Sequence, residues 1–375
     1  MRRFGIDSTV LTPAGSAAHA FADAGMTVAQ VRGLSQFDNT RYGHYRRLRW
    51  LILLRELIFL PGSLLAIWRM RKQQFDVLHV NEVTLLPLAI VAKWWLRLPM
   101  VVHVRSLQCP SPGGLRTQIF NHWLARHADA VVAIDHTVAA TLDPSLPVEI
   151  VHNGLSVDAG QLSNSTSLRK TGQVVRVGFM GVLIALKGIY ELIEAMRILK
   201  NRGVAIECIV AGENARDLSG IRAWVLRKLG FSRNVRGELE QMIQSYGLEN
   251  HVHLLGFVKD VHAIYPTLDI LCFPSHLDAA GRPVFEAALY SVPSVVAIKD
   301  PLPDAVLHEY TGLAIPRSDP KLIADALQRL AEDETFRLTL GRQARSWAID
   351  NFSIENSAAS LLGIYQRLVQ TRGRG

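Results

Sequence analysis

Cysteine is scarce in this chain of 375 residues. Cys109, Cys208 and Cys272 are the only three, widely spaced and without metal-ligand spacing, so neither a disulfide framework nor a zinc site is expected. Charged residues make up only 20% of the chain against 49% hydrophobic, which excludes an intrinsically disordered protein. Residues 1–15 lack the apolar core of a secretory signal, which places the chain in the cytoplasm as an expectation. A D-x-D triplet and a histidine cluster are also missing, and no metal is expected.

What is present is size and positive charge. The length calls for two domains rather than one core. A formal charge of +8 and a pI near 9.6 favour an anionic partner: nucleic acid, a nucleotide-sugar or an anionic membrane face. Between Arg41 and Lys72 stand eight Lys or Arg and one acid, Glu56, interleaved with Trp50 to Leu54 and Leu57 to Leu60. That clustering ranks peripheral membrane association first, and nucleic acid is not expected. The run Leu57 to Trp68, broken by Pro61-Gly62, is too short to cross a bilayer of about 20 residues' thickness. It reads equally as a helix lying on a membrane or as one packed into its own domain.

Short apolar runs alternate with helical segments throughout, the pattern of parallel sheets with helical crossovers. Strands are expected at Met26–Val31, Val77–Asn81, Met100–Val104, Ala130–Ile134 and Val148–His152. A second set is expected at Val174–Met180, Ala205–Ala211, Val252–Leu255, Ile270–Phe273 and Ser294–Ala297. The stretch Leu155–Gln173, rich in Ser, Asn, Thr and Gly, reads as a linker. This divides the chain into a first domain at 1–157, a linker at 158–173, a second domain at 174–352 and a final helical segment at 353–375. One further segment, Asp217–Gly237, carries five Lys or Arg among apolar residues, and reads as a packed helical hairpin or as a surface for a membrane or acceptor.

The most informative stretch runs from Pro274 through Asp278, Ala280, Gly281, Arg282, Pro283 and Val284 to Glu286. It follows the buried-strand pattern Leu268–Phe273. A strand that ends in a Gly- and Pro-bearing loop and opens a helix builds a polyol and phosphate site at the strand's carboxyl end. Pro283 suits the first helical position, which would set Glu286 in the opening turn. A second element, Gly178 to Gly188, combines a strand, the turn glycine Gly181 and the cation Lys187 ahead of a helix, a cradle for a diphosphate.

These elements resemble the E-x7-E loop and the "KG" element of GT-B glycosyltransferases of family 4, with Asp278 at the first carboxylate. The resemblance covers about Gly15 to Leu368. It implies an α/β fold of the GT-B type: two Rossmann-like doubly wound domains, with the final helix crossing back to the first. The implied activity is retaining transfer of a hexose-type sugar from a nucleoside diphosphate sugar to a saccharide or lipid-linked acceptor, as in surface polysaccharide assembly. The UDP- or GDP-linked donor is a co-substrate, and no other cofactor is implied.

On the same resemblance Glu286 binds the nucleotide ribose, Asp278 contacts the donor sugar, Ala280 and Gly281 bring backbone amides to the donor, and Lys187 holds the diphosphate. Gly256, Phe257 and Val258 form the loop against the base, and Gly15 approaches the diphosphate from the first domain. His103 lies near the donor sugar or acceptor, and Arg105 suits an acceptor phosphate or carboxylate. His79 ends a similar strand. The sequence departs from the pattern at Val182, where an Arg is usual, and Arg282 is the nearest replacement. With Asp278 and a single-glycine loop at Gly15, this departure also leaves open a non-catalytic partner subunit of the same fold.

Overall fold

The computed structural model describes residues 5–41, 52–110, 113–155, 174–214, 234–277 and 279–372. The linker expected at 158–173, most of the basic segment at 217–237, and Asp278 lie outside the described residues. The chain forms two compact units, one of residues 1–154 and 354–375, the other of residues 155–353. The break thus falls after Gly154, and the expected boundary after residue 157 moves back accordingly. Leu155 is buried in the second unit, where its N–H donates to Phe352 O at 2.8 Å.

In the first unit, β1 (Thr9–Pro13) and β2 (Thr27–Val31) form a parallel pair joined by helix α1 (Ser16–Asp23). Strand β1 was not among the strands expected from the sequence. A four-stranded parallel sheet follows in the order β3 (Leu78–Val80), β4 (Met100–Val104), β5 (Ala130–Ala133), β6 (Val148–Ile150). Around these strands lie α2 (Ile52–Met70), α3 (Leu86–Leu96), α4 (Leu115–His127) and the short α5 (His136–Ala139). Strand β4 is buried along its length because both faces are covered, which is why it reads as an unbroken apolar run. Met100, Val102 and Val104 pack with Phe120 and Leu124 of α4, while Val101 and Val132 pack with Ile364 of the last helix. The final helix is the chain's return to this unit.

The second unit holds β7 (Val175–Met180), β8 (Ile206–Ala211), β9 (Val252–Gly256), β10 (Ile270–Phe273), β11 (Ser294–Ala297) and β12 (Gly312–Ile315). All pairs are parallel and the order is β12-β11-β10-β7-β8-β9. This is the doubly wound arrangement: the chain builds outward from β7 to β9, then returns to β10 on the other side of β7. The crevice between β7 and β10 is the place where strand order reverses, and ligands of such sheets bind outside the carboxyl ends there.

Successive strand residues feed opposite faces. Val177, Phe179, Cys208 and Cys272 face α6 (Ile189–Asn201), α7 (Val235–Ser245) and α9 (Pro320–Glu332). Met180, Leu271, Phe273 and Val296 face α8 (Arg282–Leu289) and α10 (Glu334–Phe352). Burial pushes the Cys208 thiol up to about 12, so it behaves as a small hydrophobe. Side-chain caps fix where helices start: Asn234 accepts from Gly237 N–H, Asp319 from Lys321 and Leu322 N–H, and Asp333 from Phe336 N–H. The last helix, α11, spans Ile354–Arg372.

Candidate functional site

In the second unit, three backbone turns line the carboxyl ends of β7, β8 and β9. Gly181 N–H donates to Ala211 O at 3.0 Å and Gly212 N–H to Gly256 O at 2.9 Å, so the turns after the three strands are joined edge to edge. Phe257, next in the chain, is 79% exposed, whereas Val258 packs into the core. The two predicted loop residues therefore face different surroundings, and Phe257 is the one free to meet a planar ligand. Gly212 was not singled out by sequence reasoning, although Ala211-Gly212-Glu213-Asn214 carries the strand-then-glycine signal. Arg236, at the start of α7, is held there by Glu213 at 2.9 Å and Glu240 at 3.0 Å.

The β7 turn continues into a 3-10 turn, Ala185–Lys187, and then Gly188, which is both N-cap of α6 and left-handed at φ 72°. A Cβ on Gly188 would stand 1.8 Å from Pro274 O. Only glycine allows that approach, and it brings the loop after β7 directly against the loop after β10. The two are tied further through one carbonyl: Leu186 O accepts from His276 N–H at 2.9 Å and from the Ser275 hydroxyl at 3.2 Å. His276 Nε2 lies 2.9 Å from Glu191 Oε1 on α6, and Glu191 Oε2 is buried without a partner.

Lys187 Nζ lies 4.7 Å from the centroid of the Phe273 ring, and burial lowers its pKa. Among the described residues no carboxylate pairs with it, so its charge is compensated only by the ring face. This is an arrangement open to an anion.

On the other side of the crevice, Gly281 caps α8, and a Cβ there would meet the Phe273 ring at 2.3 Å. Arg282 is the first helical residue and Pro283 the second, so Glu286 falls in the second turn, not the first as expected. Its position is set by side chains rather than by the helix dipole. Glu286 is 6% exposed and accepts from the Tyr265 hydroxyl at 2.7 Å on Oε2 and from Arg282 Nε at 2.5 Å on Oε1. Tyr265 is fully buried, and burial with the Glu286 charge beside it pushes its hydroxyl far up, so it stays a donor. Tyr265 was not foreseen, because nothing local marks a tyrosine in a 3-10 turn as the partner of a residue 21 positions away. Ala280 and Val284 pack into the core beneath this loop.

In the first unit the carboxyl end of the four-stranded sheet gathers polar groups. His103 on β4 is 2% exposed. Arg105 Nη2 approaches its Nδ1 at 3.4 Å; because a guanidinium only donates, Nδ1 is the acceptor and the ring proton sits on Nε2. Nε2 is buried without a partner, which leaves one N–H donor unused. Arg105 also donates to Asn81 Oδ1 at 3.0 Å and to Asn153 Oδ1, from the ends of β3 and β6. Among the described residues no carboxylate is in ion-pair contact with it. The spacing between His103 and Arg105 could be read from sequence; the two asparagines could not.

Burial, with Arg105 adding to it, lowers His103 to about 3 and His79 to about 4. Both rings are neutral near pH 7. His79 Nδ1 lies 2.8 Å from the Tyr365 hydroxyl of α11, and its ring meets His103 edge-on with centroids 5.5 Å apart. His79 is thereby engaged as a contact for the returning helix. Gly15 caps α1 after β1 with φ 146°, and Ala18 and His19 N–H donate to its carbonyl.

Comparison with known proteins agrees with this layout. Residues 163–347 match the family model of glycosyl transferases group 1, and residues 1–154 match that of the glycosyl transferase 4-like domain. A capsular polysaccharide biosynthesis glycosyltransferase, CapM of Staphylococcus aureus, is 23% identical over 58% of this chain, and the match spans 54% of that relative's own length. A D-inositol 3-phosphate glycosyltransferase of Corynebacterium jeikeium is 25% identical over 93% of this chain and 85% of its own. Among solved structures, Anabaena HepE in complex with UDP and glucose superposes with a TM-score of 0.69 at 18% identity, covering 95% of this chain and 91% of that one. The likeness is one of fold, the GT-B fold.

Proposed function

The chain belongs to the group 1 glycosyl transferases, and from that membership we propose that it moves a hexose-type sugar from a nucleoside diphosphate donor to a saccharide or lipid-linked acceptor with retention of configuration. The observation that carries the reading is the meeting of the Lys187-Gly188 turn with the Pro274–Glu286 loop at the strand-order reversal of the second unit. There Lys187 holds the diphosphate, backbone amides around Gly181 and Gly281 approach it, Phe257 meets the base, and Glu286 receives the ribose hydroxyls. Asp278 contacts the donor sugar.

Charge develops on the diphosphate as the bond from the anomeric carbon to the phosphate oxygen breaks. The acceptor oxygen bonds to the same face of that carbon, and its proton passes to the departing diphosphate. Fixed cations speed this step by stabilising the growing negative charge. Lys187 supplies one; Arg282, exposed and adjacent, supplies the other in place of the arginine that Val182 replaces. To do so Arg282 turns from Glu286, which frees a carboxylate oxygen for the ribose. In the first unit His103 offers its spare N–H to a sugar hydroxyl, and Arg105, which lies in the field of Glu82 but is in ion-pair contact with no carboxylate among the described residues, suits a phosphate or carboxylate on the acceptor.

CapM is by its name an enzyme of capsular polysaccharide synthesis, and we assign this chain to surface polysaccharide assembly on that likeness. Release of nucleoside diphosphate from UDP- and GDP-linked hexoses, with proton NMR of the product's anomeric centre, tests the proposal. Wild type is expected to turn over a donor to a product of unchanged configuration, and folded Glu286→Ala to lose turnover. Absence of turnover with every donor, or an inverted product, contradicts it.

A further inference from the structure

Helix α2 is apolar on its solvent side as well as on its packed side. Ile67, with Leu60 and Leu64, packs against Leu34, Leu88 and Ala92. At 3.6 residues per turn, Leu54, Leu57, Ile58, Leu65 and Trp68 fall within an arc of about 100° that adjoins Leu64 and is centred about 150° from the buried Glu56, Ser63 and Ile67. They are 58, 61, 72, 46 and 42% exposed. The adjoining helix α3 exposes Trp94 as well. Such a stripe uncovers on the order of 500 Å² of apolar surface, at the upper end of what a monomeric soluble protein leaves in water.

Charge identifies what would cover it. Arg55, Arg69, Arg71 and Lys72 are exposed along α2 and the turn after it. The Arg71 guanidinium lies over the Trp68 ring at 4.2 Å, so a cation borders the stripe. The one acid of the helix, Glu56, is 5% exposed and turned inward, accepting from Arg55 at 2.5 Å and from Gln36 N–H at 2.9 Å. The solvent side of α2 therefore carries large apolar groups and cations but no acid. Leucine and isoleucine that enter acyl chains, an indole at the headgroup level and arginines on phosphates are the features of a helix lying in a bilayer interface. No helix among the described residues is long and apolar enough to cross a membrane.

We propose that α2 docks this protein on an anionic lipid surface through the Leu54–Trp68 stripe and its bordering arginines. The proposal rests on exposure and charge in the first unit, so failure of the glycosyl transfer reading would leave it standing. Flotation of the full chain with phosphatidylcholine vesicles, with and without phosphatidylglycerol, tests it. Wild type is expected to float with the anionic vesicles alone and to be released by salt. Leu57→Glu/Ile58→Glu and, separately, Arg69→Glu/Arg71→Glu are expected to lower partitioning by about tenfold or more, with circular dichroism unchanged. Failure of wild type to float, or equal flotation of both variants, overturns the proposal. So does a wild-type dimer in light scattering that Leu57→Glu/Ile58→Glu converts to monomer, because a second copy would then cover the stripe.

Discussion

Gly188 sits against Pro274 with no room for a side chain: a Cβ would come within 1.8 Å of the Pro274 carbonyl oxygen. The turn after β7 and the loop after β10 are thereby one structure. Gly188→Ala must either push the loops apart or abandon the left-handed φ of 72°. The strain of that φ alone costs about 1–2 kcal/mol and the clash adds to it. The expected outcome is a melting temperature lowered by several degrees together with loss of nucleotide binding, read by thermal unfolding with and without nucleotide. Unchanged binding in the variant would show that the two loops act separately.

Glu286 is held by two donors of different exposure, and their removal should differ. Tyr265→Phe leaves a buried carboxylate oxygen without its donor and is expected to cost about 1–3 kcal/mol of stability. Arg282 is 65% exposed, so Arg282→Ala should change stability by less than about 1 kcal/mol while lowering turnover. Denaturant unfolding and product release, measured side by side, check the pair. Equal stability losses, or full turnover in Arg282→Ala, would remove the distinction between a supporting tyrosine and a working arginine.

Much of this arrangement is legible in the sequence because it is local. Gly181, Lys187 and Gly188, and likewise Gly281 to Glu286, lie within single strand-turn-helix stretches, and the strands before them are largely apolar, broken only by Arg176 in β7. What escaped depends on distance along the chain. The Tyr265–Glu286 bond, the Asn81 and Asn153 partners of Arg105, and the His276–Glu191 pair each join segments that only the folded sheet brings together. Strand β12, Gly312–Ile315, was overlooked because four residues beginning with glycine carry no clear period; its pairing with β11 makes it a strand. The register of Glu286 in α8 was misjudged for a simpler reason: the helix begins at Arg282, one residue before the proline.

His103 and His79 make stability fall with acid. Unfolded histidines titrate near pH 6.5, whereas in the folded protein these lie at about 3 and about 4. Between those values the unfolded chain binds more protons. The stability that the neutral rings permit is full above about pH 6.5 and is lost as pH falls toward 4 and 3, at up to about 1.4 kcal/mol per pH unit for each ring. His103→Gln, which keeps an N–H donor but does not titrate, is expected to flatten the pH dependence of urea unfolding between pH 6.5 and 5. Parallel curves for variant and wild type would mean that His103 is not buried neutral.

On the proposed function Lys187, uncompensated by any carboxylate among the described residues, holds the nucleoside diphosphate. Calorimetric titration of UDP, GDP and ADP into wild type and Lys187→Ala tests it most directly. One diphosphate is expected to bind wild type selectively, and about 10–100-fold more weakly in Lys187→Ala, the cost of one charge-assisted hydrogen bond. Equal affinity of the two proteins, or no binding by folded wild type, would mean that Lys187 holds no nucleoside diphosphate.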